Sequence, residues 1–154
     1  MMFNRRQFVY KGTKLAGAAF AIGCLPVTAL ADCQSEKRTP ALIDIDANTK
    51  KATLDPWHLG DCELKDATIT IRSDGSATFD SQVCTHFTHS KDVWHLYLDV
   101  GPYVNSPGTL GTFQWDGPQM SEQDNPLFHH WKIDFRIDAG NFKLMHNARI
   151  TSCC

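Results

Sequence analysis

Beyond residue 31 the sequence has no apolar run long enough to cross a bilayer, no sustained 3.6-residue apolar period and no internal repeat. A transmembrane span, a helical domain and a solenoid are thereby excluded for that part. Gly-x-Ser-x-Gly, His-Glu-x-x-His and a glycine-rich phosphate loop are all missing, so the motif-borne hydrolase, metalloprotease and nucleotide-binding classes have no support. Basic charge is also scarce. The first 31 residues hold four of the 15 Lys and Arg (Arg5, Arg6, Lys11, Lys14) and none of the 17 Asp and Glu, leaving 11 cations against 17 anions, a net charge of −6 with His neutral. Lys50-Lys51 is an isolated pair and the other cations are interspersed with Asp, so no basic stripe exists to follow a phosphate backbone or an anionic bilayer, and nucleic acid is excluded as a partner.

What the first 31 residues do contain is a basic start, the apolar run Leu15 to Leu30, and small residues at Ala29 and Ala31 before Asp32, the layout of a helical export signal cut after Ala31. The order Asn4-Arg5-Arg6-Gln7-Phe8-Val9 resembles a bacterial twin-arginine (Tat) signal, with Asn4 in the usual Ser/Thr position; a general secretory signal is the alternative. Ala21-Ile22-Gly23-Cys24 resembles a lipoprotein box, which makes acylation at Cys24 a minor alternative to cleavage after Ala31. The expectation is a periplasmic or secreted protein. As an anchor the run is too short and is interrupted by Gly17, Gly23 and Pro26, so no stable membrane span is expected in the mature protein.

The mature chain of 123 residues has a one-domain length. Its clearest stretch is Gly60 to Val83, in which Ala67, Ile69 and Ile71 share one side of a first arm, Ala77, Phe79 and Val83 one side of a second, and Ser73-Asp74-Gly75-Ser76 supplies the turn. Lys91 to Val100 alternates Trp94, Leu96, Leu98 and Val100 with His95, Tyr97 and Asp99; Thr109 to Trp115 alternates likewise. Asp116 to Met120 reads as a break and Ser121 to Pro126 as a surface loop. Trp131, Ile133, Phe135 and Ile137 alternate with charged residues, and Phe142 to Leu144 with Ala148 to Ile150 reads as a last strand. The expected fold is all-β, a single antiparallel β-sandwich or small β-barrel over residues 53–154. Residues 32–52 form a polar N-terminal segment with one short candidate strand at Ala41 to Ile45.

Five cysteines follow the leader, and in an exported chain they read first as a disulfide framework. Cys62 opens the first confident strand and Cys153-Cys154 close the last, so Cys62 is expected to bond one of the two. Cys33 is the candidate second partner, and the vicinal pair bonds separately because a ring between neighbours is strained. That leaves Cys84. Cys84-Thr85-His86-Phe87-Thr88-His89 places a thiol and two imidazoles where Cys84 and His86 point the same way on an extended chain and a turn brings His89 round, a donor set suited to zinc or copper. His129, His130 and His146 fall near strand ends as further candidates. His58 and His95 show no carboxylate partner in the sequence.

A ligand-binding reading rests on Tyr97, which shares its polar face with His95 and Asp99 and could stack a sugar or another flat apolar ligand. Trp94 and Trp131 read as core, while Trp115, beside Gly117-Pro118, is a candidate contact, as is Tyr103. Asp99, Asp116, Asp134 and Asp138 are the carboxylates a hydrolase would draw on, though an alternating charged strand face accounts for them. Gly60-Asp61-Cys62, Asp74-Gly75-Ser76-Ala77-Thr78-Phe79, Asp92-Val93-Trp94 and a C-terminal Cys resemble an uncharacterised family of small secreted bacterial β domains of unknown function, over about residues 53–154. That resemblance implies the fold and no activity. The expectation is a non-catalytic binding or interaction module for a small molecule, a glycan or a protein, with no cofactor; a zinc- or copper-binding protein using Cys84, His86 and His89 is the alternative, and a secreted hydrolase the third.

Overall fold

The computed structural model describes residues 35–86, 92–102, 108–124 and 127–154. The leader with Cys24, and also Cys33, His89 and Tyr103, lie outside them. Ten strands occur among the described residues: β1 (Glu36–Arg38), β2 (Ile43–Asp46), β3 (Thr49–Thr53), β4 (Trp57–Leu59), β5 (Cys62–Arg72), β6 (Ser76–Thr85), β7 (Asp92–Gly101), β8 (Gly111–Met120), β9 (His129–Arg136) and β10 (Asn147–Cys153). They form a four-stranded sheet in the order β1-β10-β7-β8 and a six-stranded sheet in the order β2-β3-β5-β6-β9, with β4 also on β5. Every pairing is antiparallel. The alternation in the sequence becomes one core: Leu64, Ile69, Ile71, Phe79 and Val83 from one sheet meet Trp94, Leu96, Leu98, Val100 and Ile150 from the other. No ladder joins the two sheets among the described residues, so the chain forms the sandwich and not the barrel.

The opening hairpin turns through a tight bend in which Gly75 N–H donates to the Arg72 carbonyl at 2.9 Å and Gly75 sits at φ +82°. Asp74 holds the bend by accepting from both the backbone N–H and the hydroxyl of Ser76, and those bonds keep its carboxyl below the ordinary value. Further along, the pairing slips by one residue between Lys65 and Thr68, where Asp66 takes φ +53°. The consequence is large. Strict alternation from Ile69 would turn Cys62 and Leu64 outward, whereas the bulge returns both to the core, where they are buried, and turns Glu63 outward.

Three expectations are corrected. Residues 32–52 contribute more than one short strand: β1 pairs with β10, and β3 lies between β2 and β5, so both sheets draw on this segment. Asp116 to Met120 continues β8. Gly117 and Pro118 fit because β8 is an edge strand, and the register slip opposite Val93 to His95 accommodates them. Phe142 to Leu144 is part of a 3₁₀ helix, Ala139–Leu144; the Asp138 carboxylate accepts from Gly140 N–H at its start and Phe142 is buried under it. Buried indoles find partners: Trp57 Nε1 donates to Glu36 and Trp94 Nε1 to Ser152 Oγ, both at 2.8 Å, while the two rings meet edge to face at 6.1 Å. Cys62 and Cys154 are bonded across the sandwich, Cα to Cα 6.2 Å.

Candidate functional site

Two constellations emerge, one on the outer face of each sheet. On the six-stranded sheet the pairings His58↔Glu63 and Glu63↔Cys84 set three side chains in one row across β4, β5 and β6. His86, two residues beyond Cys84 and therefore on the same side, closes the group. Cys84 Sγ is 3.7 Å from His86 Nε2 and 4.0 Å from Glu63 Oε2, and His86 Nε2 donates to that carboxylate oxygen at 3.1 Å. His58 Nε2 lies 3.8 Å from the same oxygen. Cys84 is the one unbridged cysteine among the described residues and is fully buried. Burial first, and then the Glu63 charge, push its thiol above the ordinary value. The sequence had placed Cys84 with His86 and left out Glu63; only the hairpin register across the bulge could have supplied it.

On the four-stranded sheet, the outward residues of β7 sit between those of β10 and β8 in three rows: Cys153, His95, Asp116; Thr151, Tyr97, Gln114; and Arg149, Asp99, Thr112. His95 Nδ1 pairs with Asp116 at 2.6 Å, and Thr112 Oγ1 donates to Asp99 at 2.7 Å. Burial, followed by the Asp116 charge, raises the Tyr97 phenol above its ordinary value, while the Gln114 side chain hydrogen-bonds it. At one end of the rows an open hollow of about 290 Å³ lies between Lys37, Asp99, Thr109 and Arg149. His95, Tyr97 and Asp99 therefore lie side by side along the outer face of β7. Trp115 is not with them: it pairs with the core residue Leu96 and points inward, packing on Phe135 at 4.9 Å and stacking with Phe113 at 5.6 Å.

Residues 68–154 match a family of unknown function, DUF6294. The chain belongs to that family. No curated protein and no solved structure matches it. The span shared with DUF6294 begins inside β5, so it takes in Cys84, His86 and the whole Tyr97 face but not His58 or Glu63.

The remaining candidates of this DUF6294 chain are structural or paired locally. Trp94 and Trp131 are core, the latter edge-on to Phe79 at 5.1 Å. His129 pairs with Asp124 and His130 with Asp80, each at 2.8 Å, and His146 lines a separate hollow with Lys50 and Phe142. Asp134 accepts from Thr78 Oγ1. Cys153 is disulfide-bonded as well as Cys154, and the pairing expected for Cys33 falls outside the described residues. Among the described residues no helix is long and apolar enough to cross a membrane.

Proposed function

We propose that the chain is an exported, non-catalytic binding domain whose ligand is a carbohydrate laid across the outer face of the four-stranded sheet. The observation that carries the reading is the three-by-three arrangement with Tyr97 at its centre and hydrogen-bonding side chains along both flanks. A pyranose ring offers an apolar face for an aromatic ring and a perimeter of hydroxyls that both donate and accept; Tyr97 suits the first, and Gln114, Asp99, Thr112 and Thr151 the second. With its phenol raised above the ordinary value, Tyr97 is a neutral donor at physiological pH. The hollow beside Arg149 gives a chain longer than one sugar a place to continue. Export through the twin-arginine-like leader, with cleavage after Ala31, belongs to this reading, since two disulfide-bonded cysteines at the C-terminus suit an oxidising compartment.

A polysaccharide and oligosaccharide array, followed by calorimetric titration of the hits, tests it. Tyr97→Ala is expected to weaken binding at least about tenfold, the loss of one stacking and hydrogen-bonding group of roughly 1.4 kcal/mol, without moving the unfolding midpoint by more than a few degrees. An array without hits, or a hit that Tyr97→Ala leaves unchanged, refutes the assignment.

A further inference from the structure

We propose that Glu63, Cys84 and His86 form a zinc site on the opposite sheet, independent of the carbohydrate face. Three donor atoms of different chemistry converge there: Oε2 of Glu63, Sγ of Cys84 and Nε2 of His86, separated by 3.1, 3.7 and 4.0 Å. In a tetrahedral zinc site, with metal–sulfur near 2.3 Å and metal–nitrogen or metal–oxygen near 2.1 Å, the edges between ligand atoms are about 3.4 to 3.6 Å. The observed triangle departs from that by a few tenths of an ångström, within reach of small side-chain rotations.

A His86–Glu63 hydrogen bond alone would need no thiol. Yet Cys84 occupies an outward-facing position of β6, where the neighbouring outward residues Gln82 and Asp80 are polar, and its sulfur is buried against both other donors. The positions are also held firmly. Glu63 and Cys84 are cross-strand neighbours, and the His86 backbone N–H is tied to the Asp61 carbonyl at 2.8 Å. His58, a second imidazole, lies 3.8 Å from the Glu63 oxygen on the exposed side of the group.

The donor set selects the ion. A thiolate is a poor ligand for magnesium or calcium and a carboxylate a poor one for copper(I), whereas zinc takes thiolate, imidazole and carboxylate together. On binding, the Cys84 thiol proton leaves to solvent as sulfur gives its electron pair to the metal. His86 coordinates through Nε2 with its proton on Nδ1, and Glu63 coordinates through a carboxylate oxygen. Of the three ligands read from the sequence, Cys84 and His86 belong to this site and His89 lies outside the described residues; Glu63 is a donor that the sequence reading did not include.

The test uses the exported chain purified without a histidine tag, with Cys84 shown by mass spectrometry to be a thiol. Calorimetry is expected to give one zinc per chain. Cobalt(II) in place of zinc is expected to show thiolate-to-metal charge-transfer absorption, displaced by zinc and lost in Cys84→Ser. His86→Ala and Glu63→Gln are each expected to weaken zinc at least about tenfold, with unchanged circular dichroism. His86 is half exposed, so its variant remains informative even where Cys84→Ser fails to fold. No stoichiometric binding, wild-type affinity retained in both His86→Ala and Glu63→Gln, or loss of binding on His130→Ala instead would overturn the site. Tyr97→Ala is expected to leave zinc binding untouched, which separates failure here from failure of the carbohydrate reading.

Discussion

Removal of the Cys62–Cys154 bond by the double substitution Cys62→Ala/Cys154→Ala is the sharpest test of how this sandwich is held closed. The bond joins the first residue of β5, in the six-stranded sheet, to the residue after β10, in the four-stranded sheet, with a sequence separation of 92. In the chain-entropy account, a loop of that length restricts the unfolded ensemble by about 4.6 kcal/mol at 25 °C. Unfolding entropy near 2.1 cal/mol/K per residue, over a domain of about 120 residues, converts this to a fall in melting temperature of roughly 15 to 20 °C. Replacing both cysteines avoids a lone thiol that could exchange with the neighbouring Cys153 bridge, which chemical reduction would also break. Differential scanning calorimetry with parallel guanidinium unfolding measures the effect. The denaturant slope is expected to rise in the variant, because an unlinked chain exposes more surface when unfolded. A fall of less than about 5 °C with an unchanged slope would refute the reasoning, since it would mean that this link does not limit the unfolded chain.

Gly75→Ala should destabilise the domain by about 2 kcal/mol or more, through the left-handed backbone and an added Cβ driven into the Ile137 carbonyl oxygen, which lies against the turn. Denaturant midpoints of wild type and variant check it, and a change below about 0.5 kcal/mol would contradict the close approach. Asp74→Asn should show a pH signature. Because the folded carboxyl lies below its ordinary value, its stabilisation is complete above about pH 4 and is lost as pH falls through the lowered folded value, so the gap between wild type and variant should close only on acidification. A gap independent of pH between neutrality and pH 2 would exclude that role.

Much of the fold was legible because burial in a two-layer β domain has a period of two. Ile69, Ile71, Phe79, Val83, Trp94, Leu96 and Leu98 each sit where simple alternation puts them. The cysteine at the start of β5 and the terminal pair were also readable as a closure, since they stand at the two ends of the strand-rich part of the sequence. The errors share a cause. Gly117 and Pro118 read as a break because sequence does not say which strand lies at an edge, where a missing N–H is harmless. Phe142 alternates like a strand residue, but the Asp138 cap and the burial of its ring made it part of a 3₁₀ helix. Trp115 was grouped with the Tyr97 face, whereas the pairing of β8 with β7 sends it to the core side with Phe113 and Phe135.

The sequence by itself determined the class of fold and the faces of its long strands, because each follows from local periodicity, and it narrowed the partner of Cys62 to the two terminal cysteines; the structure settled on Cys154. The candidate metal site was decided elsewhere. Continued without interruption, the register of Ile69↔Phe79 and Ile71↔Ala77 would set Cys84 opposite Leu64; the slip at Asp66 sets it opposite Glu63 and turns that carboxylate to the same face. A one-residue bulge leaves almost no trace in sequence, because Asp66 is tolerated there for its own backbone and the partners it realigns lie some 20 residues away. Only tertiary structure therefore brought Glu63, Cys84 and His86 together, and only the β10-β7-β8 pairing put Tyr97 between Thr151 and Gln114.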